Sequence, residues 1–286
     1  MRPGSVALVR ACLRDGTGGS PTAVVVDGSL SDERRRRLPV ENGASHAVFV
    51  DLSGEDVVGL RFFTTEGELP ACGHGTVAAL AFLASPAGGG ERGRVALRAA
   101  GRVFDGWCEG DGAEFSSSFD PGPVGLREPD DAELALVLPA LGLASEESGA
   151  RARVAGVGRE RILVPVPTRA DLAALTPDLG RLRAACDRFG LLGAYVYSPA
   201  SPTGRLAARM FAPSIGVPED IANANSTACL AAHLAERAGV KEIAVDMGDT
   251  LGSPATVTAM ARTGPDGRRV LVGGTAHVVG AERVTA

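Results

Sequence analysis

Two segments of this chain are apolar on nearly every side and have the composition of α-helices. They are Gly75–Leu83 and Ser226–Ala238, both rich in small residues, and Gly239 is a suitable residue to end the second. A helix on a protein surface keeps one polar face, so a helix that is apolar all round has to be buried on more than one side. We therefore predict two buried helices, each enclosed by other structure.

The enclosing structure is predicted to be β-sheet. Short Val-rich runs of four to seven residues recur along the chain, separated by Gly, Pro, Asp and Ser, as is typical of strands. These runs are Ala23–Val26, Ala47–Val50, Val57–Phe63, Arg161–Val166, Gly193–Tyr197, Ile243–Met247 and Arg269–Val272. The pattern predicts an α+β fold in which strands wrap round two helices.

The approaches to the two helices resemble each other, which indicates a weak internal repeat. In each, an Arg-x-Phe run is followed by a glycine and then by an acidic residue close to the helix start. The members are Arg61–Phe63, Gly67 and Glu68 in the first copy, and Arg209–Phe211, Gly216 and Asp220 in the second. Two facing helix N-termini carry unpaired N–H groups and partial positive charge, so they form a suitable cradle for a carboxylate.

The length of the chain fits two domains, since 286 residues exceed one ordinary compact core. Proline, glycine and acidic residues interrupt all periodicity across residues 120–129. We predict an N-terminal domain over residues 1–122 and a C-terminal domain over 123–286, with the C-terminal tail a candidate to pack back onto the first domain.

Charge and cysteine content exclude several classes of protein. The 29 basic and 34 acidic residues give a net charge of −5, which argues against nucleic acid or an anionic membrane as the main partner. No stretch approaches the ~20 apolar residues of a membrane helix, and the N-terminus lacks a signal peptide's apolar core. Five scattered cysteines, none in a Cys-x-x-Cys pair, predict neither a disulfide framework nor a metal site. A cytoplasmic location is expected.

Several motifs resemble those of the phenazine-biosynthesis PhzF family, in the family's order and over nearly the whole chain. The central one is Leu60-Arg-Phe-Phe-Thr-Thr-Glu-Gly-Glu-Leu-Pro-Ala-Cys-Gly-His-Gly-Thr76. The others are Gly19–Val25, Arg209–Asp220, Gly248–Ala255 and Val270–Ala276. The resemblance implies the diaminopimelate epimerase-like fold: two pseudo-equivalent domains, each a curved, mainly antiparallel sheet round a central helix, with the active site between them. It also implies a homodimer that uses no cofactor.

The resemblance assigns the acid/base role to Glu68. The neighbours of Glu68 are apolar and a buried helix follows, so burial could raise the pKa of its carboxyl toward neutrality. Asp220 corresponds to the family's second acidic residue and is expected to orient groups or relay protons, with helix capping as the alternative role.

Around these carboxylates we expect a substrate-binding set. Backbone N–H groups at the start of the first helix, together with polar side chains of both loops, are predicted to hold a carboxylate or a developing enolate. The set is Cys72, Gly73, His74, Gly75, Asn223, Asn225, Ser226, Ser20 and His46. For His74, orienting its loop and touching the substrate both stay open.

Three of these residues depart from the family pattern and bear on the substrate. The second loop reads Asp220-Ile-Ala-Asn-Ala-Asn-Ser226 in place of the usual Asp-Pro-Ala-Thr-Gly-Ser-Ala, which exchanges hydroxyl groups for the amides of Asn223 and Asn225. His46 stands where the family has a glutamate before a strand. The pocket is therefore expected to be polar but differently shaped.

The predicted function is a cofactor-independent isomerase that shifts a proton, and with it a double bond. The substrate would be a small unsaturated cyclic or amino carboxylic acid of specialised metabolism, such as antibiotic biosynthesis. One alternative is an amino-acid epimerase that uses Cys72. It is disfavoured because Asn223 occupies the position of the second thiol and Cys229 lies within the helix. A non-catalytic ligand-binding homologue is the other alternative.

Overall fold

The computed structural model of the chain describes residues 5–283, except 29, 55, 91–92, 113, 145–148, 150 and 265–266. The described part contains six α-helices. They are α1 (Asp32–Glu41), α2 (Gly73–Ala84), α3 (Asp131–Leu141), α4 (Arg169–Ala174), α5 (Leu179–Phe189) and α6 (Ala224–Ala238).

Seventeen strands complete the described part. The first eight are β1 (Ser5–Ala11), β2 (Ser20–Val26), β3 (His46–Asp51), β4 (Val58–Phe63), β5 (Glu68–Leu69), β6 (Gly93–Ala99), β7 (Arg102–Asp111) and β8 (Glu114–Phe119). The others are β9 (Gly125–Arg127), β10 (Arg153–Val157), β11 (Arg159–Pro165), β12 (Ala194–Tyr197), β13 (Arg205–Ala212), β14 (Val217–Asp220), β15 (Glu242–Met247), β16 (Ala255–Gly264) and β17 (Gly267–Arg283).

Eight strands form a closed ring around α2. The order is β1, β2, β3, β4, β6, β7, β8 and β17, and β17 pairs back onto β1. Every residue of α2 is buried, because this helix has apolar neighbours on all sides. Small side chains allow that fit: a Cβ atom on Gly106 of β7 would lie 2.7 Å from Leu80 Cδ2 of α2.

A second curved sheet packs against α6. Its order is β9, β10, β11, β12, β13, β15, β16 and β17, mainly antiparallel. The first ten residues of α6, Ala224–His233, are all buried, and the helix ends at Gly239 in the left-handed conformation (φ 67°). The predicted fold class, α+β with a central helix in each of two sheets, is confirmed.

One long strand joins the two sheets. Residues 267–273 of β17 pair with β16, whereas residues 276–283 pair with β1 of the first ring. The strand therefore carries the C-terminal part of the chain back onto the N-terminal strands. The division of the chain at residue 122 stays a prediction. Among the described residues, no helix is long and apolar enough to cross a membrane.

Candidate active site

A cavity of about 370 Å³ lies where the N-termini of α2 and α6 meet. The polar groups at this end come from both sheets, and apolar and basic residues form the remaining walls. The lining includes His46, Cys72, Gly73, His74, Thr76, Asp220, Asn223 and Asn225, and the arginines Arg102, Arg159 and Arg161. The volume falls in the range of small-molecule sites.

The two helix starts are in direct contact. A Cβ atom on Gly73 would lie 2.6 Å from the Cβ atom of Ala224 and 2.9 Å from the Asn225 backbone nitrogen. Asn223 caps α6, since its Oδ1 accepts a hydrogen bond from the Ser226 backbone N–H at 2.9 Å. The Cys72 side chain makes no capping hydrogen bond at α2. The positive ends of two helix dipoles thus converge on one small region, which favours an anion there.

His74 is held across the boundary between the two sheets. Its Nδ1 lies 2.7 Å from the carbonyl oxygen of Ala222, to which it donates, and 3.9 Å from Asp220 Oδ2. Its Nε2 lies 3.5 Å from Cys72 Sγ. Burial alone would lower the pKa of His74, but its interactions with Cys72 and Asp220 outweigh burial and raise that pKa to about 10.

Asp220 is the buried carboxylate of the cavity. Its Oδ2 accepts a hydrogen bond from Asn223 Nδ2 at 3.0 Å, and its Oδ1 has no hydrogen-bond partner among the described residues. Burial raises the pKa of Asp220, while the neighbouring His74 and the Asn223 hydrogen bond act in the opposite direction. The pKa values of both members of the His74–Asp220 pair are thus raised above their ordinary values.

His46 lies at the start of β3, with its ring edge-on to His74 at a centroid distance of 4.4 Å. One of its nitrogens, Nδ1, is 2.8 Å from Ser45 Oγ, which leaves Nε2 for the cavity. Burial, and after it the nearby His74, lower the pKa of His46 well below its ordinary value. The pKa values of the two imidazoles are therefore displaced in opposite directions.

The same cluster could hold a soft metal ion. One ligand atom from each of His46, Cys72 and His74 lies within 4.8 Å of the others, and all three residues are buried. A thiolate and two imidazoles are the donors that Zn²⁺ prefers. The same three side chains can also exchange protons with a bound molecule directly.

Comparisons with known proteins identify the family of the chain. The family model described as PhzC-PhzF, phenazine biosynthesis-like protein, matches residues 11–282. The chain belongs to this family.

Relatives of the chain within the PhzC-PhzF family are named isomerases. The chain is 32% identical to a trans-2,3-dihydro-3-hydroxyanthranilate isomerase of Pseudomonas aeruginosa over 250 residues, covering 85% of each chain. It is 30% identical to an uncharacterized isomerase of Deinococcus radiodurans over 279 residues, covering 91% of this chain and 88% of that one. This PhzF-family chain is accordingly an enzyme, an isomerase.

Solved structures support the fold of this family member. A phenazine biosynthesis protein of the PhzF family from Bacillus anthracis superposes with a TM-score of 0.83 at 17% identity, covering 100% of both chains. A probable proline racemase from Agrobacterium radiobacter superposes with a TM-score of 0.68 at 11% identity, covering 98% of this chain and 92% of the other.

The structure places Glu68 outside the cavity of this PhzF-family chain. The expectation that Glu68 is buried among apolar residues is wrong: its side chain is 42% exposed and its Oε2 lies 2.6 Å from Arg61 Nη2. Leu69, the next residue, does line the cavity. Side chains alternate in direction along a strand, and Glu68 and Leu69 form the short β5, so the carboxylate points the other way.

Six members of the predicted binding set line the cavity. The other three, Ser20, Gly75 and Ser226, do not line it. Ser20 is buried and its hydroxyl has no hydrogen-bond partner in the part of the chain that the structure describes, and Ser226 is buried with its hydroxyl 3.6 Å from Met210 Sδ. Gly75 is the third residue of α2, where a Cβ atom would meet Cys72 Sγ at 3.0 Å. Gly75 therefore makes room for the cysteine.

Arg161 is one of the cavity residues that sequence reasoning missed. It belongs to β11 and lines the cavity, yet it is only 2% exposed. Its Nη1 donates to Cys229 Sγ at 3.0 Å, so Cys229 faces Arg161 and is not among the described lining residues. The sequence did contain a signal. Arg161 is a charged residue at the start of an apolar run predicted to be a buried strand, and charged residues are seldom buried without a partner.

Proposed function

We propose that this isomerase moves a proton, and with it a double bond, within a small unsaturated cyclic or amino carboxylic acid, without a cofactor. One observation carries the proposal: a single cavity contains two adjacent imidazoles whose pKa values are displaced in opposite directions. Groups with such separated pKa values divide into a base and an acid at neutral pH. A proton shift needs one of each.

In this mechanism His46 is the base and His74 the acid. Neutral His46 removes a proton from a carbon atom of the substrate, and the electron pair of that C–H bond shifts the double bond. His74, charged and supported by Asp220, delivers a proton to the carbon at the other end of the shifted system. After these two proton transfers His46 is charged and His74 is neutral. Return of one proton between rings 4.4 Å apart restores the starting state.

In this mechanism the N-termini of α2 and α6 bind the substrate carboxylate. Gly73 and Asn225 lie at these N-termini and line the cavity, so backbone N–H groups are available without bulky side chains in the way. Negative charge that develops on the carboxylate as the proton leaves is stabilised by the same N–H groups. Preorganised donors of this kind need no rearrangement during the reaction.

The proposal retains Asp220 from the sequence-based assignment and moves the proton shuttle from Glu68 to His46. His46 occupies the position where the family has a glutamate before the strand, and its ring lies edge-on to His74. The imidazole is therefore placed in the cavity where it can accept a proton from a bound molecule. Homodimer formation, cytoplasmic location and a role in specialised-metabolite biosynthesis stay predictions from the sequence.

Proton exchange in heavy water tests the mechanism. Trans-2,3-dihydro-3-hydroxyanthranilate, the compound after which one relative is named, and cyclic dienoic amino acids serve as candidate substrates, with deuterium incorporation followed by NMR. His46→Gln and His74→Gln should each reduce exchange about a hundredfold or more, the usual contribution of a general acid or base. His277→Gln, a substitution outside the described cavity lining, is the matched control. Full exchange by His46→Gln would exclude the mechanism.

Epimerisation at a Cα atom is the second candidate, because Cys72 lines the cavity 3.5 Å from His74 Nε2. A thiol beside an imidazole can act as a base at carbon. Cys72→Ala separates the two reactions. The isomerase mechanism predicts a modest loss of exchange, whereas epimerisation through Cys72 predicts a loss as severe as that of His74→Gln.

A further inference from the structure

Arg161 is a buried cation without a counterion in the described part of the chain. Its side chain is among the largest that are fully buried, at 2% exposure. A guanidinium group has five N–H donors and keeps its charge at all physiological pH values. Taking it out of water without an anionic partner is costly, so proteins seldom do so without a reason.

The contacts of Arg161 do not compensate for its charge. Its Nη1 donates to Cys229 Sγ at 3.0 Å, and its buried Nε has no partner among the described residues. Burial raises the pKa of the Cys229 thiol against the opposing effect of Arg161, so the thiol is neutral at physiological pH. The carboxylate of Asp220, in the same cavity, is engaged by Asn223 and His74.

Arg161 meets the cavity at a different place from the helix N-termini. Its partner Cys229 lies five residues beyond the first residue of α6, which is about 7.5 Å along the helix axis at 1.5 Å per residue. The rings of Phe62, Phe104 and Phe119 also line the cavity. The cavity thus combines an anion site at the helix starts, apolar walls and, among its three lining arginines, one buried arginine that has no counterion among the described residues.

We propose that Arg161 is a second anion site and that the substrate is a small diacid. One carboxylate binds at the N-termini of α2 and α6, as the proposed function requires, and the other accepts hydrogen bonds from the Arg161 guanidinium. Two N–H groups of a guanidinium match the two oxygens of a carboxylate in geometry as well as in charge. The protein keeps the cation desolvated before binding, and the ligand neutralises it.

Binding and stability measured together test this proposal. The probes are benzoate, with one carboxylate, and isophthalate and terephthalate, with two at different separations. Wild-type protein should bind a diacid more tightly than benzoate and show a larger increase in Tm with it. Arg161→Met should weaken diacid binding about ten- to a hundredfold, to the level of benzoate, the loss expected for a charged hydrogen-bond pair.

The Tm of Arg161 variants without ligand distinguishes a binding role of Arg161 from a structural role. Arg161→Met removes a desolvated charge and keeps the volume, so its Tm without ligand should equal or exceed that of the wild type. Arg161→Lys retains the charge and should keep part of the diacid preference. Arg159→Gln is the control, because Arg159 lines the same cavity while donating to the carbonyl oxygens of Gly190 and Leu191.

The outcomes are decisive in both directions. Absence of a diacid preference in the wild type overturns the proposal, as does an Arg161→Met variant with lowered Tm and unchanged diacid binding. The test is independent of turnover. His46→Gln should lose proton exchange and keep the diacid preference, so failure of the proposed function and failure of the anion site produce different results.

Discussion

Gly73 and Ala224 start the two central helices opposite each other, with a Cβ atom on Gly73 placed only 2.6 Å from the Cβ atom of Ala224. Real Cβ atoms do not approach so closely, so the contact requires a glycine at one of the two positions. As well as at the position of Gly73, the family pattern has a glycine at the position of Ala224. In this chain Ala224 stands there, and Gly73 provides the space for the helix starts to converge.

Gly73→Ala is expected to push the two helix N-termini apart. The added methyl group would clash with Ala224 and with the Asn225 backbone nitrogen, costing about 1–3 kcal/mol of unfolding free energy, as overpacking usually does. Activity should fall further than stability, because the carboxylate site is widened. Urea unfolding and initial rates measure the two effects.

A second substitution tests the cause. Ala224→Gly in the Gly73→Ala background should restore part of both losses, since the two positions compete for one space. Gly180→Ala is the control, with only Asp178 Oδ1 nearby at 3.5 Å, and should be neutral or slightly stabilising. Equal losses in the single and double variants would contradict the proposed contact.

Glu68→Gln is expected to retain activity within about threefold of wild type, whereas Asp220→Asn should lose about a hundredfold or more. The Glu68 carboxylate is 42% exposed and paired with Arg61, while Asp220 is buried in the cavity beside His74. Initial rates of proton exchange give the comparison. A loss at Glu68 as large as that at Asp220 would return the acid/base role to Glu68.

Treatment with EDTA followed by dialysis should leave isomerase activity unchanged, because side chains alone carry the protons in the proposed mechanism. Added Zn²⁺ should inhibit reversibly, since His46, Cys72 and His74 present ligand atoms within 4.8 Å of one another. Cys72→Ala should be less sensitive to Zn²⁺ than the wild type. Loss of activity on chelation, with recovery on adding metal, would instead identify a metalloenzyme.

Lowering the pH should reduce the free energy of unfolding, because Asp246 becomes protonated. Burial acts to raise the pKa of this carboxyl, but hydrogen bonds from Arg205, Arg169 and Thr256 outweigh it and hold the pKa below the ordinary value. A carboxyl with a lowered folded-state pKa contributes stability above its unfolded pKa of about 3.9, and that contribution is lost as pH falls through the folded value.

Asp246→Asn should therefore cost about 1–3 kcal/mol of unfolding free energy at pH 7, a figure reduced for the partial exposure of the arginines. The difference from wild type should shrink below about pH 4, as measured by denaturant unfolding at several pH values. Asp249→Asn, at a carboxylate with 60% exposure, is the control and should change stability little. A difference independent of pH would show that the charge of Asp246 is not responsible.

Much of the fold could be predicted from local pattern. The pattern predicts two buried helices at Gly75–Leu83 and Ser226–Ala238, and they span Gly73–Ala84 and Ala224–Ala238. A helix that is apolar on every side can be recognised from its own residues. In β6, β7 and β8 polar residues alternate with buried ones, so these strands contain no comparable apolar run. The search for Val-rich runs therefore did not predict these three strands.

The amino-acid sequence by itself determined the two enclosed helices, the family and the segment from Glu68 to His74 as one edge of the site. Only the tertiary structure decided which side chains of that segment share the cavity. His46, His74 and Asp220 come from separate strands and helix starts, and Arg161 comes from another strand. Burial, charge and direction along a strand control proton transfer. These properties depend on contacts between residues that are distant in the sequence. The sequence therefore predicted correctly that Glu68 lies next to the site, but only the fold shows that its side chain points away from the cavity.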